Sequence, residues 1–218
     1  MNIAVSFYKF LLTGIVPGEY KKLSISFIFS YLLLKFFLIT VFFILKYLFY
    51  DSSLLPKREV IEDENIIKFF LNVVVLAPVF EEMICRHHLN FSYRRILISA
   101  VFACLLLYDE LNYLLIVLIY LAVLVALIWK NINFNKLILV YLSSALFAFL
   151  HLIMYPDTLS SQNVINIILV ILPHFIGGLL LSYIFIRNGT FAAIILHALW
   201  NLLPFASFIF KLIILDEI

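Results

Sequence analysis

The sequence predicts an all-α fold, a polytopic transmembrane helix bundle of about seven spans, and three observations predict it. Hydrophobic residues make up 66% of the 218-residue chain and charged residues only 13%, against roughly 45–50% and 25% in soluble domains. So few polar side chains cannot clothe a water-facing surface, which leaves lipid to cover it. The apolar residues also fall in stretches near the roughly 20 residues that cross a bilayer, with most charges gathered between them.

Seven stretches qualify, at about 27–48, 66–86, 96–108, 113–129, 137–155, 164–186 and 191–214. The third holds only thirteen residues and reads as tilted, extended at its ends or partly re-entrant. Pro204 either breaks the seventh in two or kinks it, so the span count ranges from six to eight. Before the first span, Lys9, Lys21 and Lys22 surround a short apolar run closing on Gly14-Ile15-Val16-Pro17-Gly18. No small-residue cleavage site follows, so this segment is expected to lie at the membrane interface rather than to be removed. Linkers are short, and residues 1–218 read as a single membrane-embedded domain.

Alternating the connections between two sides separates the charges. One side carries Lys9, Lys21, Lys22, Arg86, Arg94, Arg95, Lys130, Lys136 and Arg187, with Glu19 the one acid nearby. The other carries Lys57, Arg58 and Lys211 among Asp51, Glu59, Glu62, Asp63, Glu64, Asp109, Glu110, Asp157, Asp216 and Glu217. Excess Lys and Arg marks the cytoplasmic face, so the N-terminus is expected inside. A net charge of +2 without a long basic run excludes a nucleic-acid partner. Cys85 and Cys104 offer neither zinc spacing nor a disulfide framework.

Polar side chains at membrane depth are costly, by roughly 2.5–3.5 kcal/mol for a charge on insertion scales, so each calls for a reason. Glu81 and Glu82 are adjacent in the second stretch, within Ala77-Pro78-Val79-Phe80-Glu81-Glu82-Met83-Ile84-Cys85-Arg86. Arg86, one helical turn on, is a natural partner for Glu82. Glu81 is left without one, and a carboxylate in a partly dry site suits a general base. His151 closes Phe147-Ala148-Phe149-Leu150-His151, and His197 and Asn201 share one helical face four residues apart. Each alone reads as a structural hydrogen bond. Together, two carboxylates, two imidazoles and an amide on three stretches form an active-site inventory. Lys35, His174, Gly177-Gly178, His87 and His88 have structural explanations. Lys35 would snorkel or meet an acid, His174 would satisfy carbonyls freed by Pro173, and the glycines would admit a close helix.

Glu81-Glu82-x-x-x-Arg86, Phe147-x-x-x-His151 and His197-x-x-x-Asn201 resemble the three motifs of the CPBP family, the CAAX-processing and bacteriocin-processing intramembrane proteases also called Abi proteins. Ala77-Pro78 before the first motif and Asn188-Gly189-Thr190-Phe191 before the third resemble its flanking text, and the likeness covers residues 75–203. The resemblance implies hydrolysis of peptide bonds within the membrane. Glu81 would activate water with His151 helping to hold it, Glu82 would support the site and pair with Arg86, and His197 and Asn201 would stabilise the oxyanion. Two features depart from the pattern. Seventy residues separate Glu81 from His151, a longer interval than in many relatives, so 96–129 reads as an inserted helical hairpin. His87 stands where relatives usually carry glycine.

Glu81, His151 and His197 would be the ligands of a zinc ion, but two histidines around a glutamate on one helix are absent, and the reading without metal is preferred. The expected partners are the lipid bilayer and a membrane-associated peptide or protein, a bacteriocin or lipidated tail. Richness in Phe, Ile, Asn and Lys suits an AT-rich bacterial genome, hence a bacterial plasma membrane, and argues against prenylated CAAX substrates. The competing reading is a non-catalytic bacteriocin-immunity or sensor-regulating membrane protein. A transporter is disfavoured, because neither inverted repeats nor paired broken helices are visible. One geometric demand follows. At about 1.5 Å per residue, His151 falls about 10 Å deeper than Glu81 and His197, an offset the fold must close.

Overall fold

The computed structural model describes residues 3–16, 22–49, 65–132, 134–155 and 164–214. Among them every regular element is helical. Helices α1 (Ile3–Thr13) and α2 (Ile25–Phe49) precede α3 (Ile66–Phe70), which passes through a π-helical segment (Leu71–Leu76) into α4 (Ala77–Cys85). A 3-10 turn (His87–Asn90) leads to α5 (Tyr93–Leu106) and α6 (Leu111–Trp129). Then come α7 (Lys136–Leu150), closing on a second 3-10 turn (His151–Met154), α8 (Val164–Asn188) and α9 (Thr190–Ile214).

All seven expected stretches are helical, but four are long and apolar enough to cross a membrane: Ile25–Leu48, Leu111–Trp129, Lys136–Met154 and Val164–Asn188. The remaining three differ for separate reasons. The π-helical segment interrupts the second stretch. The third, α5, has 14 residues, about 21 Å of helix against a hydrocarbon core of roughly 30 Å. The seventh, α9, runs 25 residues with Pro204 inside it. Four long apolar helices among the described residues do not by themselves reach the expected count of about seven. Pro204 lies inside α9, which runs on past it.

The N-terminal segment does more than rest at an interface. Phe7 and Phe10 are buried, with ring centroids 5.6 and 5.5 Å from that of Tyr183 on α8. The Tyr183 hydroxyl donates to Ser6 at 2.9 Å, and that of Tyr141 on α7 donates to the Leu11 carbonyl at 3.1 Å. Gly14 then turns with φ +67°, where a Cβ would stand 2.6 Å from the Leu137 nitrogen. Only glycine suits both the dihedral and the approach. Pro17, Gly18, Glu19 and Lys21 lie outside the described residues, as do Asp51, Lys57, Arg58, Glu59, Glu62, Asp63, Glu64, Asp157, Asp216 and Glu217. Leu89, Asn90 and Phe91, after α4, line one recess with Asn131, Lys136 and Ile186. The connections after α4 and α6 and the end of α8 thus meet at one end of the bundle.

Helices α7 and α8 form the central seam, and Gly178 sets its spacing. A Cβ there would sit 3.1 Å from the Ser144 Cα and 3.2 Å from its carbonyl oxygen. Ser144 turns its hydroxyl back to the Val140 carbonyl at 2.8 Å, so no polar group is stranded in the seam. The hairpin α5–α6 is tied on by Ser99, which donates to the Met83 carbonyl at 2.7 Å, and by a 2.8 Å contact between His88 Nε2 and the Tyr120 hydroxyl. Gly178→Leu is expected to destabilise the protein by about 1–3 kcal/mol through overpacking. Gly177→Ala, whose new methyl would meet nothing closer than 3.9 Å, should leave the unfolding temperature in detergent within error of wild type.

Candidate active site

The first motif sits on a helix whose hydrogen-bond register changes just before it. In the π-helical segment the Ala77 N–H reaches back to the Asn72 carbonyl. The next bond in that register would run from residue 78 to the Val73 carbonyl, but Pro78 has no N–H to give. Asn201 of α9 supplies the missing donor, its Nδ2 lying 2.9 Å from the Val73 oxygen. Because a carbonyl only accepts, this contact fixes which end of the Asn201 amide faces α3–α4. A register fault in one helix thus becomes a tie to another.

Beyond the proline, α4 presents its carboxylates to α9. Glu82 is fully buried, and its Oε1 accepts from Arg86 Nη1 at 3.1 Å and from His197 Nδ1 at 2.9 Å. His197 Nε2 lies 3.5 Å from Glu81 Oε2. One imidazole therefore spans two adjacent carboxylates. Arg86 is also fully buried, and its guanidinium carbon lies 3.9 Å from the centroid of the Phe147 ring. The Phe147 ring touches His151 and His197 as well, at centroid distances of 4.5 and 5.7 Å. The aromatic of the second motif thus underlies all three.

His151 caps α7, with Nδ1 2.8 Å from the Phe147 carbonyl. That oxygen can only accept, so Nδ1 donates and neutral His151 keeps the Nε2 lone pair for a ligand. The offset expected between His151 and Glu81 is closed by helix direction. Ser143 of α7 donates to the Cys85 carbonyl of α4, while Glu81, earlier on α4, shares a cavity with His151, later on α7. The helices run in opposite senses there. Side chains slant toward their own helix N-terminus, so Glu81 and His151 lean toward one another.

A cavity of about 540 Å³ is lined by Glu81, His151, His174, His197, Trp200 and Asn201. A second, of about 370 Å³, shares its histidines, Trp200 and Asn201 and extends to Lys35, Phe42 and Lys46 on α2. Glu81, Glu82, Arg86 and His197 are in direct contact; His151 and Asn201 face the same space. Cys85 is buried and lines neither cavity. His87 falls in the 3-10 turn beyond α4, outside the helix. Among the described residues no three His, Cys, Asp or Glu side chains converge as a metal site. The His151 Nδ1 is engaged by a carbonyl, and both His197 nitrogens face carboxylates.

Three cavity residues differ from their sequence-based reading or escaped it. Lys35 is 4% exposed and neither snorkels nor, among the described residues, forms an ion pair; its ammonium lies 4.4 Å from the Trp200 ring centroid. His174 stacks on His151 at 3.7 Å and 26° rather than serving only the backbone near Pro173. Trp200, between His197 and Asn201, gave no signal of its own, since an aromatic in an apolar helix is ordinary.

The chain matches the family model described as type II CAAX prenyl endopeptidase Rce1-like over residues 63–203, more than half of its length. The chain belongs to this family. Neither a curated protein nor a solved structure matches it. The Rce1-like match contains all three motifs, and with the four long apolar helices it identifies an integral membrane protein of a protease family. Lys35 and α2 lie before the matched region.

The pairing of Asn201 with Val73 has a measurable consequence. Asn201→Ala leaves a half-buried carbonyl unpaired and is expected to cost about 1 kcal/mol in detergent unfolding. In a Pro78→Ala background the restored N–H can serve Val73, so the same change should cost distinctly less. Equal costs in both backgrounds would refute the assigned role of Pro78.

Proposed function

We propose that this Rce1-like protein is an intramembrane endopeptidase that hydrolyses peptide bonds of membrane-associated peptides or proteins, using water activated by Glu81 and no metal. The observation that carries the reading is His197 set between Glu82 and Glu81 beside a largely apolar cavity that His151 and Asn201 also line. Each mechanistic part has a group suited to it. Glu81 Oε2 is buried without a hydrogen-bond partner, which leaves it ready to take a proton from water. His151 offers its Nε2 lone pair as a second acceptor to orient that water.

As water oxygen attacks the scissile carbonyl, its proton passes to Glu81. The oxyanion then takes hydrogen bonds from the second N–H of Asn201 and from His197, whose ring Glu82 holds by Nδ1. One such donor in a water-excluded site is worth about 2.7–4 kcal/mol. Collapse of the intermediate breaks the C–N bond, and Glu81 returns the proton to the leaving amine. Arg86 keeps Glu82 ionised and in place. The family's description points to prenylated CAAX tails, and a tail embedded at the bilayer is the substrate class it shares with the cavity.

The topology fits the same proposal. The N-terminus lies in the cytoplasm of a bacterial plasma membrane, and 96–129 is a peripheral hairpin added to a 75–203 core. Helix α6 of that hairpin has only 17% of its best apolar window buried, as an addition facing lipid should.

Purified protein in detergent should cleave members of a quenched fluorescent peptide library. Glu81→Gln and His197→Ala should each lower the rate about a hundredfold or more while the protein stays folded. Chelators should leave the rate unchanged. Cleavage indifferent to both substitutions would sink the mechanism, and chelator loss reversed by zinc would overturn the metal-free assignment.

A further inference from the structure

Lys35 is a buried cation in the lining of one cavity that the proposed chemistry does not use. A lysine at membrane depth normally reaches the interface or pairs with an acid. Lys35 does neither among the described residues: it is 4% exposed, and its ammonium faces the ring of Trp200 and the small surface of Gly177. Lys46, three helical turns along the same α2 face, is a second cation in the lining of the 370 Å³ cavity, which among the described residues includes no carboxylate; Glu81 and Glu82 act on Lys35 only from beyond that lining. Ile39, Phe42, Phe43, Leu169 and Val170 make the rest of that wall apolar. The two carboxylates of the site, Glu81 and Glu82, stand outside this lining. An apolar ligand with an anionic end would therefore be turned one way, its charge toward Lys35 and away from Glu81.

We propose that Lys35 is a specificity-determining residue that receives a carboxylate of the substrate, and that this is the C-terminal carboxylate of the peptide. The inference rests on the hydrolase reading above and adds to it a direction and a position. The peptide lies with its C-terminal side in the α2 cavity, and the scissile bond is near the chain end. Trp200, stacked against the ammonium, holds Lys35 toward the cavity.

The test uses one cleavable sequence as three peptides: a free acid, a C-terminal amide, and an amide carrying one Glu side chain near its end. Wild-type protein in detergent should favour the free acid over the plain amide by roughly tenfold to a hundredfold in kcat/KM, the worth of a hydrogen bond between charged groups. The preference should appear mainly in KM. Lys35→Met should collapse the acid-to-amide ratio toward one, and Lys35→Arg should retain part of it. Should Lys35→Met fail to fold, the wild-type ratio and the Lys35→Arg ratio still decide. Equal cleavage of acid and amide by wild type, or an unchanged preference in Lys35→Met, overturns the inference while leaving the hydrolase reading intact. If the Glu-bearing amide matches the free acid, the carboxylate read is a side chain and the terminal assignment is wrong. No cleavage of any peptide by wild type overturns the hydrolase reading, and the inference falls with it.

Discussion

A fully buried carboxylate, Glu82, organises the interior. Removing a charge from water costs several kcal/mol even after relaxation, and the cost is recovered only where hydrogen-bonded partners surround it. Here the partners come from two directions: Arg86 from the same helix, and His197 from α9. Arg86 brings a third element, because its guanidinium is laid on Phe147 of α7. Compensating one charge thus sets α4, α7 and α9 in register. Glu81, the next residue, is carried to the other side of the same imidazole. The geometry that neutralises Glu82 is the geometry that presents Glu81 to the cavity.

The π-helical segment serves this arrangement from the opposite side of α4. Because Pro78 cannot complete the register, the Val73 carbonyl turns to Asn201, one helical turn beyond His197. Two successive turns of α9 are therefore fastened to two separate points of α3–α4, one through Glu82 and one through Val73. Both ties are short, which suits a site whose donors must be in place before substrate arrives. On the far wall, α2 contributes no motif, yet it supplies Lys35, Lys46 and part of the apolar surface of the second cavity.

Much of the site was legible because lipid makes polar side chains conspicuous. Glu81, Glu82, Arg86, His151, His197 and Asn201 stand out from apolar helices, and their spacing placed Glu82 with Arg86 and His197 with Asn201 on shared faces. What escaped was the identity of partners across helices. Spacing places Asn201 on one face with His197 and allows an interhelical hydrogen bond, but only the changed register before Pro78 reveals Val73 as its acceptor. Lys35 and His174 each had an adequate local explanation, since a long stem can snorkel and a histidine can serve a carbonyl. Their cavity roles depend on α2 and α8 being brought beside α9, which no local pattern encodes. The all-helical class and membrane setting follow from composition. The number of full spans does not, because α5 is shorter and less apolar than the four long helices and a π-helical segment interrupts the stretch that carries the first motif.

The central claim is that Glu82 holds the His197 ring by its Nδ1–H. Nitrogen NMR on the protein labelled at histidine, with His197 assigned by substitution, reads that proton directly. The account predicts a proton on Nδ1 of His197 in the wild type, and its loss or exchange averaging in Glu82→Gln while the His151 signal holds. A bare Nδ1 with the proton on Nε2 in the wild type would contradict it.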